Sequence, residues 1–372
     1  MNKNIYLDYA ATTPTDESVL SSAMPYFTDI FYNPSSAHAA GQKASQAVER
    51  AREKCANAIN AAPNEIYFTS GGTEAVNQAM LSVIGSNKKH VVISAIEHDA
   101  VMASAKVLEN NGFTVDTVKP TADGTITPEA LKKVIRDDTV LVCVMTVNNI
   151  TGVIQPIKEL ASVAHDNGAL FFTDAVQAVN SVKIDVKDSN ADMLCVSAHK
   201  FYGLKGAGFL YVKSPDKPRP LISGGEQERG VRAGTHNTPA IVAMGEAIER
   251  AQSGVKEYAA QTHAVVQAFL GELKYGEPIN CQTKTNDIIS IVFDGVNGGR
   301  LAVALSCAGV YCSVGSACSA GSATPPPTLV AMGVKNADCA VRFSFGKGIS
   351  TDSAKAAARI VNETVARLNG KN

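Results

Sequence analysis

The chain has 372 residues, of which 45% are hydrophobic and 19% are charged, and its formal net charge is −1. These values are typical of a soluble globular protein, and the length favours two domains over one small core. The balanced charge gives no reason to expect binding to nucleic acid or to an anionic membrane surface. No apolar run approaches the roughly 20 residues of a membrane span, and Met1 to Asp8 lack the apolar core of a secretion signal. We therefore expect a cytoplasmic protein.

The eight cysteines are scattered along the chain without closely spaced pairs. Cys143 and Cys195 fall within apolar runs, and Cys55 lies on the apolar face of a helical pattern. This distribution predicts buried free thiols in a reducing compartment and not a disulfide framework.

Strands alternate with helices from about residue 15 to residue 250. The apolar pattern predicts strands at 65–69, 90–95, 113–118, 139–147, 169–174, 192–197 and 208–213, and helices at 41–59, 128–135 and 157–166. Such alternation favours an α/β fold with a mostly parallel sheet covered on both faces. We therefore expect a large domain over residues 15–255.

The pattern changes after a helical stretch that ends near residue 274. Strands are predicted at 288–293, 310–312 and 340–345, and helices at 299–308, 326–332 and 352–368. We interpret these elements as a smaller α+β domain, joined by a short N-terminal strand at 5–9. Its predicted limits are residues 1–14 and 256–372.

Two predicted strands end in charged side chains. Lys200 follows the strand at 192–197, and Asp174 ends the strand at 169–174. A desolvated lysine amine can form a Schiff base with a carbonyl, and pyridoxal 5′-phosphate (PLP) is the common partner in that chemistry. When Lys200 is considered alone, a surface lysine after a strand end is the more common explanation. An acid at a neighbouring strand end favours PLP, because a protonated pyridine ring is the better electron sink.

Three further features are typical of ligand sites. Ser70-Gly71-Gly72-Thr73-Glu74 joins a strand to a helix, so it could bind a phosphate at the helix N-terminus or could be an ordinary helix cap. His98 lies at another strand-to-helix junction, where it could stack on a ligand or transfer protons, although a lone histidine is more often structural. The glycine-rich and charged segment 224–235 is long enough to indicate a functional loop.

The segment 312–323 consists of small residues apart from Val314, so it cannot form a core. Cys318 lies within this segment, so we expect its thiol to be exposed and not packed in a core. Such a cysteine indicates a nucleophilic thiol. The spacing of Cys307, Cys312 and Cys318 matches no compact zinc pattern, and no histidine is near. We expect no metal site.

The ordered motifs of the whole chain resemble those of the NifS/IscS-type cysteine desulfurases, which are class V aminotransferases of PLP fold type I. The resemblance rests on Tyr6-Leu7-Asp8-Tyr9-Ala10-Ala11-Thr12-Thr13-Pro14, Asn33-Pro34-Ser35-Ser36, Thr69-Ser70-Gly71-Gly72-Thr73-Glu74, Glu97-His98, Val147-Asn148-Asn149, Asp174-Ala175-Val176-Gln177, Ser197-Ala198-His199-Lys200, Glu228-Arg229-Gly230-Val231-Arg232-Ala233-Gly234-Thr235, Gly315-Ser316-Ala317-Cys318 and Val341-Arg342-Phe343-Ser344.

The resemblance implies a role for each matching residue. Lys200 would bind PLP covalently, Asp174 would pair with the pyridine nitrogen, and Gln177 would face the ring oxygen O3′. The implied cofactor-binding residues are Gly72, Thr73, His98, Asn149, Asp174, Gln177, Ser197, His199, Lys200 and Thr235. The chain would form a homodimer in which Thr235 reaches the PLP phosphate of the partner subunit.

The resemblance also implies the reaction. L-cysteine would be converted to L-alanine and a persulfide on Cys318, and the sulfur would pass to iron–sulfur cluster assembly or to tRNA or cofactor thiolation. Asn33, Asn149 and Arg342 would bind the substrate, and Lys200, Cys318 and His98 would be catalytic. Cys318 could also bind an iron–sulfur group transiently.

Two alternative enzymes share this fold, a selenocysteine lyase and another class V aminotransferase. Cys318 argues against an aminotransferase, which does not need it, and a non-catalytic scaffold would be expected to lack Lys200 or Asp174. Ile150 replaces an acid that the family usually carries, so altered hydrogen bonding near the substrate amine or the ring is expected. Ala323-Thr324-Pro325-Pro326-Pro327 replaces the usual Leu-Glu-Pro-Ser, and this change leaves the sulfur-acceptor protein open.

Overall fold

The computed structural model describes residues 4–213, 218–315 and 325–370. The strands are β1 (Ile5–Tyr6), β2 (Ile66–Thr69), β3 (His90–Ser94), β4 (Thr114–Val118), β5 (Thr139–Cys143), β6 (Leu170–Asp174), β7 (Met193–Ser197), β8 (Gly208–Val212), β9 (Glu277–Pro278), β10 (Ile288–Val292), β11 (Val310–Tyr311) and β12 (Ala340–Ser344). The helices are α1 (Glu17–Ala23), α2 (Pro25–Thr28), α3 (Ala39–Ala58), α4 (Gly72–Leu81), α5 (Asp99–Asn110), α6 (Pro128–Lys132), α7 (Ile157–Asp166), α8 (Val186–Ser189), α9 (Thr238–Ser253), α10 (Val255–Glu272), α11 (Gly298–Cys307), α12 (Pro327–Ala331) and α13 (Thr351–Leu368).

The larger sheet has seven strands in the order β2-β8-β7-β6-β5-β3-β4. Strands β3 to β7 pair in parallel, whereas β8 runs antiparallel to both β2 and β7. The prediction of a mixed α/β fold with a mostly parallel sheet is therefore confirmed. Because β3, β5, β6 and β7 are parallel, the residues that follow them meet at one edge of the sheet.

Helices cover both faces of this sheet, as the alternation of side chains along its strands requires. Leu141 and Cys143 of β5 pack with α4 and α5, whereas Val142 of the same strand packs with α6 and α7 on the opposite face. Farther along that second face, α1, α3 and α9 pack against β2, β7 and β8.

The alanine-rich helix α3 packs closely on α9. A Cβ atom at Gly245 of α9 would lie 3.0 Å from the Cα atom of Ala51, so only glycine permits this approach. Cys55, Cys143 and Cys195 are fully buried free thiols, as predicted.

The second part of the chain forms a three-stranded antiparallel sheet in the order β12-β10-β9. Helices α10, α11 and α13 pack on it, and Leu7 from the N-terminal segment is fully buried in the same core. The expected strand 5–9 is limited to β1, which pairs in parallel with β11. Strand β5 ends at Cys143, four residues earlier than predicted, and the helical stretch before residue 274 is two helices that meet at Gly254.

Within the described residues, no helix is both long enough and apolar enough to cross a membrane.

Candidate active site

A cavity of about 180 Å³ lies at the carboxyl edge of the parallel strands. Ten residues with a predicted role line it together: Gly72, Thr73, His98, Asn149, Asp174, Gln177, Ser197, His199, Lys200 and Arg342. Ala10, Ala11, Val76, Ala100, Met145 and Val176 complete the lining. Strand ends distant in sequence therefore converge with a segment of the smaller sheet at a single site.

Lys200 ends the 3-10 turn Ala198–Lys200 that follows β7. Its Nζ atom donates to the carbonyl oxygens of Ala10 and Ala11, at 2.6 and 2.9 Å. Gln177 Nε2 donates to the same Ala10 oxygen at 2.8 Å, and Asn180 Nδ2 donates to the Lys200 carbonyl. The backbone after β1 thus holds the lysine amine at the cavity wall.

Asp174 is the last residue of β6 and is buried. Its Oδ1 atom accepts a hydrogen bond from the Val176 amide at 2.9 Å. Burial raises the pKa of the Asp174 carboxyl, and His98 and Lys200 act in the opposite direction. A cation at this carboxyl would be stabilised strongly, because little water screens the pair.

Glu97 is a second buried acid at this end of the sheet, and no role was predicted for it. Its Oε1 atom accepts from Ser94 Oγ at 2.5 Å and from the Met145 amide at 2.8 Å. Burial raises the pKa of Glu97 to about 8, and the charge of Asp174 acts in the same direction. Glu97 is therefore largely protonated at neutral pH. Its position directly before His98 at a strand end is the signal that could have found it.

Two histidines lie at the cavity. His98 caps α5, and its Nδ1 atom accepts from the Ala100 amide at 3.1 Å, which fixes the ring orientation. His199 Nδ1 lies 3.1 Å from Thr12 Oγ1. Burial, together with the positive charges of Lys200 and Lys205, lowers the pKa of His199 to about 4, so this ring is neutral at pH 7.

One end of the cavity is suited to an anion. Helix α4 begins at Gly72, and Gly72 and Thr73 of its first turn line the cavity together with Ser197. The first N–H groups of a helix have no partner within it, so they can bind an anion. A Cβ atom at Gly72 would lie 3.0 Å from Val176 Cγ2 and 3.5 Å from Ser197 Cβ, so a side chain there would fill the space. These features fit the phosphate of PLP.

Arg342 of β12 also lines the cavity, and it is buried. Its Nη2 atom donates to Asp8 Oδ1 at 2.7 Å, and Nη1 donates to the Asn149 carbonyl at 3.0 Å. Its Nε atom is buried without a hydrogen-bond partner among the described residues. A planar guanidinium that lines the cavity suits a substrate carboxylate, because it can pair bidentately. Asp8 had no predicted role, although a buried arginine requires an acidic partner.

Two other predicted site residues, Asn33 and Thr235, do not line the cavity. Asn33 is exposed, and its Oδ1 atom accepts from the Ser35 amide. Thr235 is exposed on the loop before α9. Cys318 lies outside the described residues.

Ile150 does not line the cavity either. Its side chain is buried in an apolar cluster with Val153, Leu329 and Met332. The sequence predicted that Ile150 alters hydrogen bonding near the substrate amine or the ring. The Ile150 side chain itself packs in this apolar cluster, beneath α12.

No group of three or more metal-binding side chains is found within residues 4–213, 218–315 and 325–370.

Comparison with known sequences identifies the class of enzyme to which this fold and this site belong. The aminotransferase class-V family model matches residues 5–354, and the chain belongs to this family.

The chain is also similar to proteins with a more specific name. It is 41% identical to a cysteine desulfurase IscS of Clostridium botulinum over 93% of this chain and 90% of that protein. It is 39% identical to a cysteine desulfurase IscS of Methanosarcina thermophila, over 99% of this chain and 93% of that protein.

The chain is also similar to solved structures. A NifS-like protein superimposes with a TM-score of 0.91 at 31% identity, covering 98% of this chain and all of that chain. A structure described as SspA in complex with cysteine gives a TM-score of 0.84 at 35% identity, covering 92% of this chain and 99% of the other.

Proposed function

We propose that the protein is a PLP-dependent cysteine desulfurase that converts L-cysteine to L-alanine and a persulfide on Cys318. The observation that carries the proposal is the convergence of Lys200, Asp174 and Arg342 on one cavity. A nucleophilic amine, a buried carboxylate and a carboxylate-binding guanidinium are the groups that amino-acid chemistry on PLP needs. The similarity to cysteine desulfurases supports cysteine as the substrate.

We propose that Lys200 binds PLP covalently and that Asp174 pairs with its ring nitrogen. Bound there, PLP would supply an electron sink for the pair left when a substrate Cα atom loses its proton. Gly72, Thr73, Ser197 and His199 would hold the phosphate, and His98 and Gln177 would contact the ring. Because burial raises the pKa of Asp174, its carboxylate form gains from a cationic partner.

The chain's own residues then account for the remaining steps. Arg342 and Asn149 would orient the substrate carboxylate, and the Lys200 amine would take the Cα proton. Cys318, as a thiolate, would attack the substrate sulfur. A sulfur–sulfur bond forms, the carbon–sulfur bond breaks, and its electron pair stays on the carbon that becomes the methyl group of alanine.

We further propose that the protein is a homodimer and that it acts in the cytoplasm. A second protein would accept the persulfide sulfur. Exposed Thr235 would reach the phosphate site of the partner subunit. The free cysteines among the described residues suit a reducing compartment. The limits of the two domains, 15–255 and 1–14 with 256–372, are also a proposal, supported by the separate apolar cores of the two sheets.

The test is incubation of the PLP-loaded protein with L-cysteine, with alanine and sulfide measured over time. Wild-type protein should form both in the presence of a thiol reductant. Cys318→Ala should lose alanine formation at least 100-fold while keeping the visible absorption of bound PLP. Lys200→Ala should lose both alanine formation and the visible absorption of bound PLP.

Cys307→Ala is the matched control, because Cys307 is an exposed cysteine at the end of α11. It should behave as wild type. Transfer of amino groups to a keto acid with no dependence on Cys318 would instead identify an aminotransferase, and turnover of selenocysteine alone would identify a selenocysteine lyase.

A further inference from the structure

The loop Glu226–Thr235, called the latch loop below, contains three consecutive residues with positive φ. Glu228 and Arg229 have φ values of 48° and 59°, and Gly230 follows at 79°. A left-handed conformation is unfavourable for a residue other than glycine, because its Cβ atom comes too close to the following carbonyl oxygen. Two such residues in succession persist only where the surrounding contacts over-determine them.

A buried ion pair supplies those contacts. The Arg52 guanidinium donates to both carboxylate oxygens of Glu228, at 2.7 and 2.8 Å. The same carboxylate accepts from the Phe68 amide at 2.8 Å, and His236 Nε2 lies 2.6 Å from it. Although burial opposes it, hydrogen bonding with Arg52 and His236 lowers the pKa of Glu228 to about 2. The strained segment is thus fixed to α3 and β2.

From this fixed segment the latch loop turns back onto α4. Arg232 Nε and Nη2 donate to the two carboxylate oxygens of Glu74, at 2.8 and 3.2 Å. Gln78 Nε2 donates to the Val231 carbonyl at 3.0 Å. Glu74 Oε2 also accepts from the Ser70 amide at 2.9 Å, so it links the latch loop to the turn before the helix.

Glu74 lies one residue after Thr73, in the first turn of α4. An unpaired carboxylate at this position would repel a phosphate bound to the helix N-terminus. Arg232 neutralises the carboxylate and holds the turn with two parallel hydrogen bonds, a geometry that lysine cannot reproduce.

We propose that Arg232 and Glu74 are positioning residues for the phosphate end of the site. They fix the first turn of α4 against the strained latch loop, and Arg232 cancels a carboxylate charge that would otherwise weaken phosphate binding. The pair therefore sets the affinity for the cofactor through its phosphate group. This inference rests on the proposed function, since it takes PLP as the ligand.

The test compares two probes, PLP and pyridoxal, which lacks the phosphate. Dissociation constants are measured by visible absorption on apo wild type and on Arg232→Gln, Glu74→Gln and the double variant. Arg232→Gln should weaken PLP binding about tenfold or more, because it removes both charge-assisted hydrogen bonds to Glu74 and leaves that carboxylate charge unpaired. Pyridoxal binding should change less than twofold. Because Glu74→Gln removes the repelling charge, the double variant should bind PLP more tightly than Arg232→Gln alone.

Arg359→Gln and Glu272→Gln are the matched controls, because Arg359 and Glu272 form an exposed ion pair elsewhere on the surface. Both should bind PLP as wild type does. Arg232→Lys should lie between wild type and Arg232→Gln, and it provides a measurement if the glutamine variant fails to fold. Equal losses for PLP and pyridoxal, or no loss for either, would overturn the inference. If wild type binds neither probe, the proposed function itself is wrong.

Discussion

Glu97 shows how burial sets the protonation state of a single side chain beside the candidate site. The carboxyl accepts two hydrogen bonds, from Ser94 Oγ and from the Met145 amide, yet its pKa is raised to about 8 because burial outweighs them. A protonated Glu97 adds no negative charge next to Asp174. Of the two buried acids, Asp174 can then be the one that carries the negative charge.

The raised pKa predicts a pH dependence of stability. The folded state binds one more proton than the unfolded state between the ordinary pKa of 4.5 and about 8, so stability should fall as the pH rises through this window. One extra bound proton corresponds to about 1.4 kcal/mol for each pH unit. Glu97→Gln keeps an oxygen acceptor but cannot ionise, so its stability relative to wild type should increase by roughly 2–3 kcal/mol between pH 5.5 and pH 7.5.

Urea denaturation of both proteins at the two pH values measures this difference. Glu272→Gln, which changes an exposed carboxylate, should run parallel to wild type. A gap between Glu97→Gln and wild type that is the same at pH 5.5 and pH 7.5 would show that Glu97 is already ionised in the folded state.

Among the elements, α12 shows why a departure from a family motif has to be placed in the fold before it is interpreted. Ile150 packs beneath α12 with Leu329 and Met332, and its carbonyl oxygen accepts from Ser290 Oγ at 2.7 Å. The residue therefore joins the turn after β5 to both β10 and α12. An apolar side chain suits this environment.

Ile150→Glu, which introduces the acid typical of the family, should consequently destabilise the protein. An unpaired buried carboxylate costs about 3–5 kcal/mol, and the cost should be smaller at pH 5 than at pH 8, because protonation removes the charge. Ile150→Leu keeps the apolar contact and should cost less than about 1.5 kcal/mol. Urea denaturation at the two pH values checks both variants. Equal stabilities for the glutamate and leucine variants would mean that the glutamate side chain escapes from the cluster.

For the whole molecule, the order of strands and helices could be predicted because apolar runs and their periodicity are local properties of the sequence. The clustering of Asp174 and Lys200 could be predicted as well, because parallel strands bring their carboxyl ends together. The antiparallel orientation of β8 could not, since no residue within the strand specifies the direction of its partner.

Contacts between distant segments were also beyond sequence reasoning. The pairing of Arg342 with Asp8 joins residues more than 300 positions apart, and no periodic pattern connects them. The left-handed backbone at Glu228 and Arg229 carries no glycine signal and depends on Arg52, a residue of a different helix. Such features follow from tertiary packing, which single-sequence patterns do not contain.

The proposed homodimer can be tested by asking in which subunit Thr235 acts. Light scattering should give the mass of two chains for the holoprotein. If Thr235 reaches the partner's phosphate site, Thr235→Val should weaken PLP binding about two- to tenfold, as expected for one lost hydrogen bond. Mixed dimers with differently tagged chains can then place the two substitutions in the same chain or in opposite chains.

With Lys200→Ala in one chain and Thr235→Val in the other, the chain that keeps Lys200 should receive an intact Thr235 from its partner and bind PLP with wild-type affinity. With both substitutions in one chain, the wild-type chain keeps Lys200 but faces a partner without the hydroxyl, so its PLP should be held weakly. The PLP dissociation constant of each purified mixed dimer measures this difference. The reverse order of affinities would show that Thr235 serves its own subunit, because the intact site would then be the one whose own chain carries the threonine.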